Sequence, residues 1–582
     1  PEFAILGAMR RIQERSVNET AVATLIAGGV HPLLARIFSA RGVVCPSELE
    51  LGLEAITPPT TMSNLDAAAH EIARAIQAGG RLLIVADYDA DGATACAVAV
   101  RGLRRFGALV DFLVPDRFIF GYGLTPALVD HAVARDQENL KKPIDWIITV
   151  DNGISSVAGV ARAKALGIKV LVTDHHLPGK MLPDTLIVNP NLRQCQFPSK
   201  HLAGVGVMFY VLLALRRVCR DELLWPADRI PQLADLLPIV ALGTVADMVR
   251  LDANNRRLVA QGLERLRRGN SFAGLNALFQ VANLNVRDAS ASNFGFAIGP
   301  RLNAAGRLGD MGIGIQCLIE DDPDRALDLA QQLDAMNHER REIEQEARDE
   351  ALSQALSLLE SQSKADRKSL VLHDSRWHPG VIGLVAGRLK EQFYRPAIVF
   401  ADDNDPGRIK GSCRSIPGVH IRDILERIDT QYPGLILAFG GHAMAAGLAL
   451  ESARLDEFST LFESTLADFA GPEQFLQQLD TDGPLDAQYL KLEFAQRLAA
   501  QVWGQGFPPP VFINRFEVIA QRRLKERHLK FTVRLAPGSP KLEAIWFNAE
   551  RDLDTQATLA YQLSINDWQG RSSLQLEVVA VA

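Results

Sequence analysis

The chain has no CxxC pair. Its six cysteines, Cys45, Cys96, Cys195, Cys219, Cys317 and Cys413, are scattered through 582 residues. That spacing excludes a zinc ribbon and offers no disulfide framework, and it suits a reducing cytoplasm. There is no run of about 18 apolar residues, so no membrane span is expected. No repeat with a period of about 20–50 residues and no low-complexity segment is present. Positive charge is in deficit: 62 Lys and Arg stand against 69 Asp and Glu, a formal net charge of −7. This balance speaks against nucleic-acid binding by the surface as a whole. Net charge averages over that surface, however, so a basic groove has to be sought locally.

What is present is the composition of a globular protein, 47% hydrophobic and 23% charged, long enough for three or four domains. The opening "PEFAILGAM" has no charged signal-peptide region and no Met before Met9. Residues 1–8 are expected to be vector-derived and are left out of the fold reading.

From about Ala67 the pattern alternates helix and strand. Residues 67–78 predict a helix, "RLLIVA" a buried strand, "GATACAVAVRGLRRFG" a helix and "LVDFLVP" a strand. "DWIITV", "SSVAGVARAKALG" and "KVLVT" continue as strand, helix and strand. Short β-branched runs between amphipathic helices predict a doubly wound α/β domain with a parallel sheet covered on both faces. Residues 205–268 read as mostly helical. Residues 326–360 read as one long helix with Leu329, Leu333, Met336, Ile343 and Ala347 as its apolar stripe. A second, smaller α/β stretch runs from "KSLVLHD" to about residue 468. The last hundred residues alternate with period two and predict a small antiparallel barrel, with Phe531 pointing inward beside Leu529 and Val533. The expected division is an N-terminal segment (1–55), a catalytic α/β domain (56–325), a connecting helix (326–362), a substrate-binding domain (363–468) and a barrel (475–582).

"VADYDADGAT" places Asp87, Asp89 and Asp91 directly after a buried strand. Asp151 in "VDNG" and Asp174 in "TDHH" follow two more strands, and "TDHH" adds His175 and His176. "GTVADMV" offers Asp247. The carboxyl ends of neighbouring parallel strands converge on one crevice. So many carboxylates there would repel one another strongly, and divalent cations remove that penalty. An oxygen-rich set with one or two imidazoles and no thiolate suits Mn²⁺ or Mg²⁺. Two such ions about 3.5–4 Å apart can activate water and clamp both oxygens of an in-line displacement at phosphorus.

"DYDADG", "VDNG", "TDHH" and "GTVAD" resemble, in order, the four motifs of the DHH phosphoesterase superfamily, and "GGHAMAAG" resembles the motif of its associated second domain. "VPDRFIFGYGL", "GPRLNAAGRLGD", "WHPGVIGLVAGRLKE" and "GSCRSI" are similar to its bacterial single-strand-specific DNA exonuclease branch. The resemblance implies two divalent cations on Asp89, Asp91, Asp151, His175 and Asp247, with Asp87 and His176 as partial or supporting ligands. Asp89, Asp91 and Asp151 would be shared between the ions, and His175 and Asp247 would each complete one shell. Val85 stands where the pyrophosphatase branch carries a metal-binding His, so that shell would need Asp87 or a water. His176 would orient the nucleophile or protonate the leaving oxygen.

A nuclease also needs groups that hold phosphate. The resemblance singles out Arg117 on a loop after a strand, Arg301, Asn303 and Arg307 in a Gly-bounded loop, and Ser412, Arg414 and His442 in the second domain. They would grip a terminal 5′-phosphate, which implies stepwise 5′→3′ release of mononucleotides. In the barrel, residues 515–534 carry Arg515, Arg522, Arg523, Lys525, Arg527, Lys530 and Arg534 against two acids, with Phe512, Phe516 and Phe531 interleaved. A basic face with aromatics suits single-stranded DNA. The expectation is therefore a cytoplasmic, monomeric exonuclease of DNA repair and recombination. Single-strand-binding protein and a helicase are its expected partners. The alternatives are a phosphodiesterase or phosphatase for short oligonucleotides or pyrophosphate, and a non-catalytic DNA-binding scaffold.

Overall fold

The computed structural model describes residues 10–116, 119–139, 141–360, 367–549, 551–568 and 571–581. The chain divides into two compact units, one of Val17–Asn337 with Arg497–Pro509, the other of Pro1–Ser16, His338–Gln496 and Pro510–Ala582. This differs from the expected division at two places. Residues 17–55 pack with the catalytic unit rather than forming a separate segment. Residues 497–509, expected within the barrel domain, also return to the catalytic unit. The first strand, β1 (Arg10–Glu14), belongs to the other unit and pairs in parallel with a strand at Gln477–Thr481.

The catalytic unit is built on a five-stranded parallel sheet of β2 (Arg81–Ala86), β3 (Leu109–Leu113), β4 (Trp146–Val150), β5 (Lys169–Thr173) and β6 (Leu186–Val188), in the order β3-β2-β4-β5-β6. Every residue of β2 and β4 is buried, whichever way it points, so both faces are covered. That is what a continuous Val/Ile/Leu run requires. Helices Leu65–Gln77, Ala90–Arg105, Val157–Ala165 and Gly204–Asp221 supply the cover. The strand order reverses between β2 and β4, the place where an open α/β sheet splays its loops and binds ligands. The segment Ala227–Ala246 is long and apolar enough to cross a membrane by length and composition. It is broken into two short 3-10 turns and a helix, Leu237–Ala246, whose residues Leu237–Thr244 are buried in this core.

Arg301, Asn303 and Arg307 are not on a loop. They lie on the helix Gly299–Leu308, which follows a π-helical turn at Phe294–Ile298. Gly299 and Gly306 read as loop residues, but Pro300 at the first turn is compatible with a helix start. Gly306 serves close packing: a Cβ there would stand 1.8 Å from the carbonyl oxygen of Tyr88. Beside it, the Asn303 Oδ1 accepts a hydrogen bond from the Ala90 amide at 2.9 Å. This helix therefore braces the acidic turn after β2.

The second unit holds a mixed sheet of β7 (Leu370–His373), β8 (Ala397–Asp402), β9 (Arg408–Arg414), β10 (Ile436–Gly441) and β11 (Ala445–Glu451), ordered β10-β11-β9-β8-β7. The partner of β1 is β12 (Gln477–Thr481). β13 (Phe512–Leu524), β14 (His528–Arg534), β15 (Leu542–Trp546), β16 (Gln556–Trp568) and β17 (Arg571–Val581) close a barrel in the order β13-β14-β15-β17-β16. All its pairings are antiparallel except β15 with β17. The long helix runs Pro323–Glu360. Leu329, Leu333 and Met336 join the core of the catalytic unit, and Ile343 and Ala347 join a core of the second.

Replacing Gly306 by Ala should destabilise the catalytic unit by about 1–3 kcal/mol, because a backbone carbonyl cannot move aside as a side chain would. Chemical denaturation measures this. An unchanged midpoint would show that the helix does not bear on the Tyr88 turn as closely as described.

Candidate metal centre

The turn after β2 carries three aspartates in three different roles. Asp87 is 5% exposed, and its Oδ1 accepts the Tyr88 amide at 2.7 Å. Asp89 caps the helix Ala90–Arg105, its Oδ1 accepting the Gly92 amide at 3.0 Å. Asp91 lies in the first turn of that helix. Its carboxylate accepts the amides of Gly204 at 2.5 Å and Val205 at 2.9 Å, at the N-terminus of another helix. Gly92 is required because a Cβ would fall 2.5 Å from the Asp87 carbonyl oxygen.

Asp151 follows β4 with φ of +61°, in the left-handed region that costs a non-glycine residue energy. Its amide donates to the Thr173 carbonyl at 3.1 Å, and Gly204 packs so closely that a Cβ there would lie 2.6 Å from Asp151 Oδ1. His175 follows β5. Its Nε2 lies 3.1 Å from Asp151 Oδ1, 3.6 Å from Asp247 Oδ2 and 4.0 Å from Asp91 Oδ2. Asp247 comes from the C-terminal end of helix Leu237–Ala246.

These groups form sets whose ligand atoms all lie within 4.8 Å of one another: Asp87, Asp89 and Asp151; Asp91, His175 and Asp247; and Asp151, His175 and His176. Asp151 is common to two of them. Asp89 and Asp91 fall in different sets, and His175 and Asp247 fall in the same one. Val85 is buried inside β2, and Asp87 stands in the set beside Asp89 and Asp151.

Asp174 departs from expectation. It does not join the acids on the rim. Its Oδ1 accepts the His175 amide at 2.7 Å, the His176 amide at 3.0 Å and the His176 Nδ1 at 2.7 Å, and its Oδ2 accepts the Ile154 amide at 2.8 Å. It orients His176. Tyr122, absent from the sequence-based site, packs edge-on against His176 with ring centroids 6.1 Å apart.

The residues fit divalent cations. Asp151 Oδ1, His175 Nε2 and Asp247 Oδ2 are buried without a hydrogen bond among the described residues, yet the two carboxylate oxygens stand 3.1 and 3.6 Å from the imidazole nitrogen. Buried polar atoms left so are costly unless something binds them. Burial first, then neighbouring carboxylates, hold Asp87, Asp91 and Asp151 well above the ordinary carboxylate range. Burial, then Asp89, raises Asp247 to about 7. Burial and the nearby His176 lower His175 to about 4, which leaves a neutral imidazole suited to ligation. For His176 burial works downward, but the hydrogen bond to Asp174 and the surrounding acids outweigh it and raise the ring to about 9.

Of the phosphate-gripping candidates, Arg117 lies outside the described residues. Arg301 is buried and bound within the protein, its Nε to Asp334 Oδ1 at 2.8 Å and its Nη1 to the Ala297 carbonyl at 2.7 Å. Arg307 is half-buried on the same helix. Ser412 and Arg414 lie on β9, where Arg414 Nη1 donates to Ser412 Oγ at 3.1 Å and to the Cys413 carbonyl at 2.8 Å. The Arg414 guanidinium packs against Gly383, in the first turn of helix Ile382–Phe393, where a Cβ would meet Nη2 at 2.9 Å. No carboxylate pairs with Arg414 among the described residues, and burial lowers its pKa. Arg414 pairs across the sheet with Ala445, whose carbonyl accepts the His442 amide at 2.8 Å, so both residues sit at one end of this sheet.

In the barrel, Arg523 pairs with Asp552 at 2.9 Å and Lys530 with Glu543 at 3.4 Å. Arg515, Arg522 and Lys525 are exposed and pair with no carboxylate among the described residues. Phe512, Phe516 and Phe531 are all in the barrel core, so none is available to stack on bases. The alternation along β13 turns Phe512 and Phe516 inward, and an exposed aromatic of this barrel is Phe547, edge-on to His528 at 5.3 Å.

A parallel sheet whose rim gathers carboxylates and imidazoles at these distances defines a metal-dependent phosphoesterase. Residues 81–244 match the model of the DHH family, N-terminal domain. Residues 366–468 match the DHHA1 domain, and residues 481–580 match the RecJ OB domain. The chain is 47% identical over 581 residues to the single-stranded-DNA-specific exonuclease RecJ of Salmonella typhimurium, covering 97% of this chain and 98% of that protein. Its fold is similar to the crystal structure of RecJ in complex with Mn²⁺ from Thermus thermophilus, with TM-score 0.80, 29% identity and 99% of this chain and 79% of that one covered. The Mg²⁺ complex of the same protein gives TM-score 0.75 and 28% identity over 98% of this chain and 78% of that one. The chain belongs to the family of the single-stranded-DNA-specific exonuclease RecJ.

The raised carboxyls link metal binding to protons. Asp247, at about 7 without metal, is mostly protonated at pH 6 and mostly ionised at pH 8. Mn²⁺ should therefore bind more tightly at pH 8 and displace more protons at pH 6. Calorimetry in buffers of different ionisation enthalpy measures both. Equal proton release at the two pH values would contradict the raised values.

Proposed function

We propose that the chain is a metal-dependent exonuclease that hydrolyses single-stranded DNA from the 5′ end and releases 5′-mononucleotides. The observation that carries this reading is the gathering of Asp87, Asp89 and Asp151 in one ligand set and of Asp91, His175 and Asp247 in another on the same rim, with His175 Nε2 3.1 Å from Asp151 Oδ1. The relatives named single-stranded-DNA-specific exonuclease, and the barrel that matches the RecJ OB domain, support the substrate class. A small substrate such as pyrophosphate needs no strand-tracking module.

In this reading Asp87, Asp89, Asp91, Asp151, His175 and Asp247 hold two Mn²⁺ or Mg²⁺ ions. When bound, these supply Lewis acidity toward the scissile phosphate and its attacking and leaving oxygens. The protein does the rest. Asp174 fixes the His176 ring through Nδ1, which leaves Nε2 as the nitrogen that gives or takes a proton at the reacting oxygens. Backbone amides of Gly204 and Val205 fix Asp91, and Asn303 fixes the turn that carries Asp89. Ser412, Arg414 and His442 are the candidates of the second unit for binding the terminal phosphate, and Arg117 and Arg307 are separate candidates of the catalytic unit for binding phosphate. Arg301, anchored to Asp334 and the Ala297 carbonyl, acts by holding the helix that carries Asn303 and Arg307. Arg515, Arg522 and Lys525, with Arg523 and Lys530 alongside, attract the strand's phosphates.

The catalytic role falls to residues 56–325, phosphate binding to 363–468 and strand binding to 475–582, excepting 497–509. A nuclease confined to unpaired strands needs a helicase to unwind duplex and meets single-strand-binding protein on its substrate. On this reading the chain works in the cytoplasm, as a monomer in repair and recombination.

Asp151→Ala should abolish hydrolysis of 5′-labelled single-stranded DNA in Mn²⁺ or Mg²⁺ while leaving DNA binding largely intact. Wild-type protein should leave duplex DNA and pyrophosphate uncut. Variant activity within tenfold of wild type would sink the metal-site assignment, and wild-type cleavage of pyrophosphate in preference to DNA would favour a small-molecule phosphatase.

Arg414→Ala should reduce efficiency on 5′-phosphorylated ends by about ten- to a hundredfold, the loss of one charge-assisted grip. Ends bearing a 5′-hydroxyl should suffer much less. The quantity to compare is the efficiency ratio between the two kinds of end. The same ratio in wild type and variant would mean that Arg414 is structural.

A further inference from the structure

The stretch "VWGQGF", Val502–Phe507, leaves the second unit's part of the sequence and enters the core of the catalytic unit. Gly504 and Phe507 exchange two backbone hydrogen bonds of 3.0 Å, which close it into a tight turn. Trp503 and Phe507 stack at 5.2 Å, and Phe507 stacks on Phe38 at 6.1 Å. The Arg256 guanidinium covers the Phe507 ring at 3.9 Å, and Arg41 Nε donates to the Pro508 carbonyl at 2.6 Å. Aromatic and cationic contacts of this kind anchor the turn firmly.

The tip of the turn presses on the residues that follow Asp247. The Leu251 amide donates to the Gln505 carbonyl at 2.8 Å. A Cβ on Gly504 would lie 2.6 Å from Leu251 Cδ1, and one on Gly506, whose φ is +70°, would lie 2.4 Å from Arg250 Cγ. Asn255 Nδ2 holds the Arg250 carbonyl at 2.9 Å from the other side. Between this clamp and Asp247 stands Met248 with φ of +61°, a strained backbone that surroundings must enforce. The Asp247 carboxylate itself needs such enforcement. Asp87, Asp89 and Asp91 each accept a backbone amide, whereas Asp247 Oδ2 has no hydrogen bond among the described residues. Its direction is set by the backbone on either side.

We infer that the turn Trp503–Phe507 is a positioning element for Asp247, holding residues 248–252 so that this carboxylate stays on the ligand set with His175 and Asp91. The inference rests on reading Asp247 as a metal ligand. Outside the metal centre the turn makes no contribution to the chemistry, so its effect must appear in metal affinity.

The test is calorimetric titration of the full-length protein with Mn²⁺, alongside DNA kinetics and thermal unfolding. Asp247→Ala calibrates the site: it should lose Mn²⁺ affinity, and if it does not, the ligand assignment itself fails. Gly506→Ala should weaken Mn²⁺ binding by roughly tenfold, the usual scale for groups that orient a ligand. It should lower kcat with KM for DNA unchanged. Adding Arg250→Ala removes the atom the new methyl meets while leaving the left-handed strain in place, so the double variant should recover most of the affinity. Should Gly506→Ala fold poorly, Phe507→Leu loosens the same turn from its anchored side and should show the same loss of Mn²⁺ affinity. If Asp247→Ala weakens Mn²⁺ binding but Gly506→Ala and Phe507→Leu stay within twofold of wild type, the turn only anchors the chain and the inference is overturned. A Gly506→Ala defect that Arg250→Ala does not relieve, together with a Phe507→Leu variant within twofold of wild type, would overturn it equally.

Discussion

Mutual repulsion among buried carboxylates is the constraint on which the catalytic unit depends. Five aspartates, Asp87, Asp89, Asp91, Asp151 and Asp247, converge within a few ångströms, and burial, with the neighbouring carboxylates adding to it, drives Asp87, Asp91, Asp151 and Asp247 toward neutrality. Without counter-charge such a cluster pushes its own elements apart. The surrounding structure has to over-determine each position. Amides of Tyr88, Gly92, Gly204 and Val205 point at carboxylate oxygens. Glycines stand where a Cβ would displace an acid: one at Gly243 would meet Asp91 Oδ1 at 3.1 Å and Thr94 Oγ1 at 2.1 Å. The left-handed backbone at Asp151 belongs to the same account, since strain is tolerated where neighbours leave no alternative. Mn²⁺ or Mg²⁺ converts this repulsion into coordination.

Much of this was legible because a buried parallel strand announces itself and its rim is the next residue along. "LLIVA", "WIITV" and "VLVT" each end at an acid, and β2, β4 and β5 are indeed neighbours. What failed to show was anything set by side-chain direction. Asp174 sits at a strand end like Asp87 and Asp151, yet it turns to the His175 and His176 amides and fixes the second imidazole. Nothing local in "TDHH" distinguishes the two outcomes. The glycines around Arg301–Arg307 resembled loop punctuation, but Gly306 is there because Tyr88 comes within van der Waals range of a helix. "WGQGF" likewise looks like an ordinary turn, and only the distant Leu251 and Arg256 give it meaning. For Phe512 and Phe516 the signal was present: they share parity along one strand, which puts both on the inner face.

The proposed function asks two different electrostatic tasks of the barrel and of the catalytic unit. On the proposed reading, exposed Arg515, Arg522 and Lys525 would attract a flexible polyanion at long range, an attraction that salt screens. The rim acids act at contact distance, where dehydration makes each charge count for more.

The net charge of −7 is therefore a poor guide to the partner, for a physical reason. Each unit holds charge away from solvent that no ion pair among the described residues neutralises. In the catalytic unit it is the carboxylates, and two divalent cations would cancel more than half of the chain's formal charge. In the second unit it is Arg414, half-buried at a helix N-terminus with no carboxylate beside it among the described residues. A guanidinium in that setting is stabilised by an incoming anion. On the proposed reading a terminal phosphate is that anion, a group that a guanidinium recognises by charge-assisted hydrogen bonds. On that reading the same molecule takes cations in one place and an anion in another, and the averaged charge reports neither.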